Sequence, residues 1–413
     1  MSGRLLIIGG GGREHALAWK LSQSPHVRQV LMTSLNHATA QIASLAPGGD
    51  ELIGFCEKER ISLVIVGPEA PLAAGVADNL RARDILVFGP SQEAAKIESS
   101  KILAKQLMRA GRIPTADFAV CESLKTAREW MAKHPPPHVV KADGLAAGKG
   151  VLICETQEEA EECVSEMLDG QFGDASRSLL IERYLYGREM SFIVLADGQD
   201  ALQLATSQDY KRLKDDDKGP TTGGMGAISP APGDNPGLQA KIMETVIYPA
   251  LRGMAWMKTP FCGFLYAGLM VGDNDEISVL EFNCRLGDPE TQAILPRLKD
   301  DLYPALKAAA RGDLFGHLPL TWDSQHSTAV VLAAAGYPQK PRSGDVIHLP
   351  TDETLIFHAG TETDKDGVAR TVGGRVLSVV GLGDTPDESR NRAQDAARKV
   401  EFEGVQYRRD IGK

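Results

Sequence analysis

Short apolar runs at residues 5–8, 30–33, 63–66 and 86–88 alternate with helix-like segments such as 16–22. Apolar runs of this length bounded by turn signals read as buried strands, and the 3.6-residue pattern between them as helix. Regular alternation of the two predicts a parallel α/β domain of about a hundred residues. A polar stretch at 91–100 follows, and then a helical pattern at 101–110 that ends at Gly111 with Pro114 beyond. The first domain boundary is placed near residue 100.

Beyond it the pattern changes. Strand-like runs at 139–141, 151–154, 179–182 and 191–195 are separated by hairpin glycines, which predicts antiparallel sheet with helices. Residues 209–227 carry four glycines, mixed charge and no periodicity, and read as a mobile loop of the kind that serves function. After a charged, proline-containing passage at 318–325, strand patterns return at 328–335, 355–358 and 375–380. A helix at 386–400 closes the chain, capped by Thr385 with Glu388 three residues later. The expected architecture is therefore multidomain, α/β and α+β, with divisions at 1–100, 101–325 and 326–413.

Composition narrows the function classes. With 43% hydrophobic and 24% charged residues, the chain can bury large cores. A formal charge of −10 gives no basic field for nucleic acid or anionic lipid, so any phosphate must be bound locally. Six scattered cysteines without a CxxC pair read as reduced thiols, and the first apolar run is too short for a signal peptide. No stretch approaches the ~18 apolar residues a membrane span needs. The expectation is a cytoplasmic protein with no nucleic-acid or membrane partner.

Four constellations could carry chemistry. Gly9, Gly10, Gly11 and Gly12 lie between a strand and a helix, where backbone N–H groups can approach a phosphate. A dinucleotide fingerprint fits badly, because its last glycine would fall on Glu14 and no acid follows about 20 residues on. A mononucleotide or sugar-phosphate site and a plain βα-turn both remain open. Lys141 on a strand precedes Gly144, Gly148, Lys149 and Gly150, a hairpin able to cover a triphosphate; an ordinary glycine hairpin is the bland alternative. It is not a Walker loop, since three residues separate its first glycines and Gly150 follows the lysine.

Glu281 and Asn283 alternate onto one side of a strand, a hard-oxygen pair suited to Mg²⁺ with nucleotide phosphates, and Arg285 shares that side. A surface carboxylate–arginine pair would explain the same letters, and Cys284, on the other side, reads as core. Finally Glu182, Tyr184, Leu185 and Glu189 form a strand end and turn, either an adenine-reading hinge with an acid for ribose or an ordinary hairpin.

At these residues a resemblance becomes specific. GGGGREHALAWK, VGPEAPL, VVKADGLAAGKGV, ATSQDYKR, GPTTGGMGAISPAP, GFLYAGLM and LEFNCRLGDPETQ, in this order along the whole chain, closely resemble the phosphoribosylamine–glycine ligase family of the ATP-grasp superfamily. The resemblance implies an N-terminal substrate-binding domain, an ATP-grasp core with a hinged lid at about 115–190, and a small C-terminal α+β domain. It implies that Lys101 and Lys141 contact ATP phosphates, that the Gly144–Gly150 hairpin covers them, that residues 182–185 read adenine and that Glu189 holds ribose. Glu281 and Asn283 would bind Mg²⁺ or Mn²⁺. Gly10, Gly11 and Gly12, with Glu69, would face 5-phosphoribosylamine, and Asp209, Lys211, Arg285 and Asp288 would contact substrate, the last two with Lys141 as catalytic groups. Substrates would be glycine and 5-phosphoribosylamine, and the oligomeric state monomer or weak homodimer.

Two departures from the family pattern bear on this. Where members carry a PGNAG-like turn after the second strand, this chain has Ser34-Leu-Asn36-His-Ala, and the strand GFLYAGLM lacks an acid for metal. Two other readings fit part of the motif set: a different ATP-grasp ligase or carboxylase of purine metabolism, and a non-catalytic nucleotide-binding regulator.

Overall fold

The structure, a computed structural model, describes residues 2–144, 150–171 and 177–413. In the N-terminal region, strands β1 (Gly3–Ile8), β2 (Val27–Met32), β3 (Ser44–Leu45), β4 (Ile61–Val66) and β5 (Val87–Phe88) alternate with helices α1 (Gly12–Ser22), α2 (Leu52–Glu59), α3 (Glu69–Ala73) and α4 (Val76–Arg81). The strands pair in parallel in the order β3-β2-β1-β4-β5. Alternation sends Leu6, Ile8, Val64 and Val66 into one core, and Leu5, Ile7, Leu63 and Ile65 into another on the opposite face. A sheet buried on both sides explains why its strands are uninterrupted apolar runs. The polar stretch at 91–100 is itself a helix, α5 (Gln92–Ser99), capped by Ser91.

Helix α6 (Lys101–Ala110), capped by Ser100, leads into a second sheet. Strands β6 (Phe118–Cys121), β7 (His138–Ala142), β8 (Val151–Cys154) and β9 (Leu179–Arg183) pair antiparallel in the order β6-β9-β7-β8. Helices α7 (Leu124–Met131) and α8 (Gln157–Glu166) cover one face, with a small core of their own around Val140, Ile181 and Met167.

The longest strands form the central platform. β10 (Arg188–Asp197), β11 (Ala201–Gln203), β16 (Cys262–Val271) and β17 (Ile277–Asn283) run in the order β11-β10-β16-β17, all antiparallel. Between β11 and β16 lie β12 (Gln208–Asp209), β13 (Arg212–Lys214), β14 (Lys218–Thr221), β15 (Gly226–Ser229), α9 (Pro236–Ile242) and α10 (Tyr248–Trp256). Helices α11 (Glu290–Ile294) and α12 (Leu302–Arg311) follow β17.

Residues 209–227 are thus not the loop the sequence suggested. β13 and β14 pair as a hairpin, and β15 is an inner strand of a fourth sheet, ordered β12-β15-β18 (His326–Ala333)-β22 (Arg375–Gly383)-β19 (Leu355–His358). The glycines that hid this pattern answer to sterics. A Cβ on Gly226 would lie 2.7 Å from the Ala329 carbonyl, and Gly224 has φ of +110°.

The C-terminal strands are β18 (His326–Ala333), β19 (Leu355–His358), β20 (Thr361–Thr363), β21 (Ala369–Thr371) and β22 (Arg375–Gly383), covered by α13 (Pro386–Lys399). Thr385 caps α13 by accepting from the Glu388 N–H, while the Glu388 carboxylate accepts from the Asp384 N–H. Among the described residues no helix is long and apolar enough to cross a membrane, and all six cysteines are free thiols.

β19 also docks against α1. The His358 N–H donates to His15 Nδ1 at 2.8 Å, and the Asn36 amide donates to the carbonyls of His358 at 2.8 Å and Gly10 at 3.2 Å. In place of the family's PGNAG-like turn, Asn36 is therefore a structural clasp. Burial depresses His15 to about 4 and His358 to about 3. Below pH 6.5 the unfolded chain binds protons that the folded one refuses, so stability is complete above 6.5 and declines toward pH 4. The His15 share of that loss is about 3 kcal/mol. Urea unfolding across this range should show it, and His15→Gln, which can still accept from His358, should remove that share of the slope.

Candidate active site

The site is built on the exit of β17. A register shift at Leu280 pairs Glu281 with Gly268 and Asn283 with Tyr266, leaving both side chains on one face. A Cβ on Gly268 would sit 3.4 Å from Glu281 Cγ, so the glycine leaves the carboxylate room. Burial pushes the Glu281 carboxyl upward, but Lys211, Lys141, Lys101 and Arg285, in that order, more than offset it and hold the group below the usual carboxylate range. An ionised carboxylate beside an amide oxygen fits a divalent cation that takes its other ligands from water and phosphate. Among the described residues no group of three His, Cys, Asp or Glu side chains stands ready to hold a metal. The pair is therefore a partial shell that substrate oxygens would complete.

Each cation near Glu281 is held by another group. Lys101 donates to the Gly144 carbonyl at 2.8 Å, and the α6 terminus is tied to β7 by Asp143, which accepts from Ser100 Oγ and the Ile102 N–H at 3.1 Å. Lys141 lies 2.9 Å from Glu182 Oε1 and donates to the Leu280 carbonyl at 3.3 Å. Lys105 lies 2.9 Å from Glu182 Oε2 and donates to Thr115 Oγ1 at 2.6 Å. The Glu182 side chain is thus buried between two ammonium groups. Tyr184 and Leu185 are half-buried where β9 gives way to β10.

Lys211 lies 3.3 Å from Glu189, and with Asp209, Ser191, Tyr266 and Glu281 these residues line a narrow pocket. Burial pushes Asp209 up to about 7, while the Asp209 carboxylate holds the Lys211 proton firmly in place. Tyr266 Oη and Ser191 Oγ are 2.8 Å apart, and Ser191 donates to Glu290 at 3.3 Å.

Arg285 is fixed from two helices, at 3.0 Å from Glu98 and 3.2 Å from Glu69. Glu98 also accepts from the Cys284 N–H at 2.7 Å, and the Cys284 side chain is core. Asp288 pairs with Arg375 at 3.2 Å and accepts from Gln292 at 2.8 Å; burial raises its carboxyl, but Arg375 and Arg13 outweigh that and hold it low. The Gly10, Gly11 and Gly12 turn comes to the same place. Gly11 N–H donates to Glu14 at 2.7 Å, Arg13 contacts Glu14 at 2.6 Å and donates to the Leu286 carbonyl at 3.0 Å. A side chain on Gly67 would strike Glu14.

The structure therefore gathers two groups of the predicted residues: Lys101, Lys141, Glu189, Asp209, Lys211, Glu281 and Asn283 in one, and the glycine turn, Glu69, Arg285 and Asp288 in the other. Gly144, with φ of +135°, and Gly150, whose carbonyl accepts from the Ala142 N–H at 2.8 Å, flank the hairpin; Gly148 and Lys149 lie outside the described residues. Sequence reasoning missed Lys105, Glu98, Arg13, Glu14, Glu290 and Arg375. Lys105 left a local signal, four residues after Lys101 on one helical face, and Arg13 and Glu14 directly follow the glycine turn they brace. Glu98, Glu290 and Arg375 matter through contacts far along the chain.

A phosphate-handling cation cluster set between a β-platform and a small hairpin-bearing sheet is the build of an ATP-grasp enzyme. Three parts of phosphoribosylglycinamide synthetase match in order: its N domain at residues 3–98, its ATP-grasp domain at 99–291 and its C domain at 327–413. The phosphoribosylamine–glycine ligase of Ralstonia nicotianae is 48% identical over 99% of this chain and 98% of its own, and that of Escherichia coli K12 46% identical with the same coverage. A crystal structure of the Thermotoga maritima ligase superposes with a TM-score of 0.87 at 36% identity, covering 99% of this chain and all of the other. A biotin carboxylase from Campylobacter jejuni shares the fold alone, with a TM-score of 0.76 at 14% identity over 100% of this chain and 94% of the other. The chain belongs to the phosphoribosylglycinamide synthetase family.

The Lys105–Glu182–Lys141 triad gives a prediction. Glu182→Gln leaves two buried ammonium groups without their shared anion and should cost about 3 kcal/mol of stability at pH 7. Lys105, already depressed to about 8 by burial, can shed its proton once Glu182 no longer attracts it. The unfolded chain then binds more protons than the folded one, so the penalty should shrink as pH rises from 7 to 9, measured by urea unfolding of both proteins.

Proposed function

We infer that the protein joins glycine to 5-phosphoribosylamine with ATP consumed, giving glycinamide ribonucleotide, ADP and phosphate. It is a carbon–nitrogen ligase, as its family membership shows, and the observation that carries the chemistry is the Glu281 carboxylate held ionised among Lys211, Lys141, Lys101 and Arg285. Glycine's carboxylate is a poor electrophile. Its oxygen attacks the γ-phosphate of ATP to give glycyl phosphate and ADP, and the amine of phosphoribosylamine then attacks the acyl carbon and releases phosphate. Lys101 and Lys141 hold phosphate oxygens; Asp209, Lys211, Arg285 and Asp288 hold and orient the acceptors; Glu69 and the 10–12 turn face the sugar phosphate. Residues 182–185 bind adenine through backbone, and Glu189 takes the ribose.

Such transfer is mainly positioning and charge neutralisation. Glu281 and Asn283 would hold Mg²⁺ or Mn²⁺, which when bound would neutralise phosphate charge. The β7–β8 pair belongs to a lid at about 115–190 that excludes water from a hydrolysable acyl phosphate. The proposed divisions of the chain remain 1–100, 101–325 and 326–413. We place the enzyme in the cytoplasm, acting on small molecules as a monomer or weak homodimer without nucleic acid or membrane.

Glu281→Gln should leave the fold intact by circular dichroism while lowering turnover at limiting Mg²⁺ by on the order of a hundredfold. Wild-type turnover in the folded variant would remove Glu281 from the metal site. The order of bond making is tested with glycine carrying heavy oxygen in its carboxylate. One labelled oxygen should reach inorganic phosphate per turnover, with ADP as co-product; label in AMP would mean an adenylate route, and unlabelled phosphate would exclude the acyl phosphate. Replacing glycine with bicarbonate should give no ADP release, which separates the ligase from a carboxylase.

A further inference from the structure

The largest fully buried side chain among the described residues lies outside the motifs that point to the site. Arg408, in the segment after α13, has a side chain 1% exposed. It donates to both oxygens of Asp410, at 2.8 and 2.7 Å, to Asp217 Oδ1 at 2.7 Å and to the Arg212 carbonyl at 3.2 Å. Its guanidinium carbon also sits 5.2 Å from the centre of the Tyr210 ring. The β13–β14 turn is closed onto the same segment: Asp215 accepts from the Arg409 N–H at 2.7 Å, and the Asp216 N–H donates to Asp410 at 2.8 Å. Asp216 and Asp217 have φ of +58° and +50°, a conformation that a free chain seldom holds at successive non-glycine residues.

Tyr210 stands between Asp209 and Lys211. Those two line the pocket beside Glu281, whereas Tyr210 packs against the C-terminal core. The Tyr210 N–H donates to the Gly226 carbonyl at 2.9 Å, its carbonyl accepts from the Met225 N–H at 2.8 Å, and the Lys211 carbonyl accepts from the Thr222 N–H at 2.8 Å. The short strand is thus gripped on its backbone by residues 222–226 and on its outward side chain by Arg408.

We propose that Arg408 is a positioning residue of the ligase, setting where Asp209 and Lys211 stand in the pocket through its hold on Tyr210, the Arg212 carbonyl and Asp217. The proposal rests on the reading above that Asp209 and Lys211 contact substrate. Arg408 touches no substrate itself. Its planar fork is what meets four acceptor positions and a ring face at once, which a lysine ammonium cannot do. Misplacement of a reacting constellation by a fraction of an ångström to one ångström lowers rate steeply, whereas nucleotide binding depends on Lys101, Lys141, the 182–185 backbone, Glu189 and, through the metal, Glu281 and Asn283, none of which Arg408 contacts.

The test is a comparison of Arg408→Lys with wild type in the full-length enzyme, reading kcat/KM for glycine and the affinity for ADP with Mg²⁺ by titration calorimetry. The expected result is a fall in kcat/KM of on the order of tenfold to a hundredfold with ADP affinity unchanged within about twofold. A merely structural role would lower both together, and either that outcome or unchanged kinetics overturns the proposal. Should Arg408→Lys fail to fold, Asp217→Ala at an exposed position removes one arm of the grip. It should lower kcat/KM in the same selective way, and wild-type kinetics there would likewise overturn the proposal. Lys211→Ala separates the two levels: a silent Lys211→Ala overturns the pocket reading and the proposal with it, whereas a severe Lys211→Ala beside a silent Arg408→Lys overturns the positioning role alone.

Discussion

Several positive charges have to stand around one carboxylate before any triphosphate arrives, and the structure depends on how that is made tolerable. Lys101, Lys141, Lys211 and Arg285 all act on Glu281, yet a single anion cannot hold four cations in a low-dielectric site. Three of them carry a further partner acid: Glu182 for Lys141, Glu189 for Lys211, and Glu98 with Glu69 for Arg285. Lys101 is held instead by the Gly144 carbonyl, with Asp143 nearby. These acids come from α3, α5, β9 and β10, so the N-terminal helices and the small β6-β9-β7-β8 sheet must dock onto the platform for the site to exist.

This requirement also explains what could be read from the residues. The N-terminal strands were legible because a sheet buried on both faces writes itself as unbroken apolar runs. That Glu281 and Asn283 share one face of a strand was legible because strand alternation is local. The four constellations gained specificity as a set from their resemblance to a known family. What stayed hidden depends on contacts made across the fold. The β13–β14 hairpin and β15 looked like loop because their glycines answer to Ala329 and Pro289, remote in sequence, and because the turn aspartates find their partners at residues 408–410. Glu98 and Arg375 gave no local sign of their partners for the same reason.

The C-terminal sheet illustrates how far such hidden contacts reach. It receives β15 from the middle of the chain, sends Arg375 to Asp288 and to the Gly223 carbonyl, and presents His358 to α1. Each contact meets a segment that also carries a candidate site residue: the strand ending before Tyr210, the turn after β17, and the glycine turn before α1. A small domain that contributes few substrate-facing groups can therefore still determine the geometry of those that do.

The pairing of cations with acids has a consequence for catalysis. A binding site of bare ammonium groups would repel itself apart when empty and would have to reorganise on each turnover. With the acids in place, arrival of a polyanion asks each lysine only to share its partner with a phosphate oxygen while the acid stays behind as a holding charge. Glu182 does this for Lys141 while Lys105 anchors it from behind at 2.9 Å. The donors are then aimed in advance, and little orientation remains to be found as charge moves from glycine to phosphate, which is the condition under which electrostatic stabilisation is most effective. On the proposed route no protein nucleophile is needed, and neither nearby candidate is activated: Cys284 is buried with its thiol pushed up by burial and by Glu98, and Ser191 is engaged with Tyr266 and Glu290. The protein's part is to keep charges in register, and the chain devotes three domains to that task.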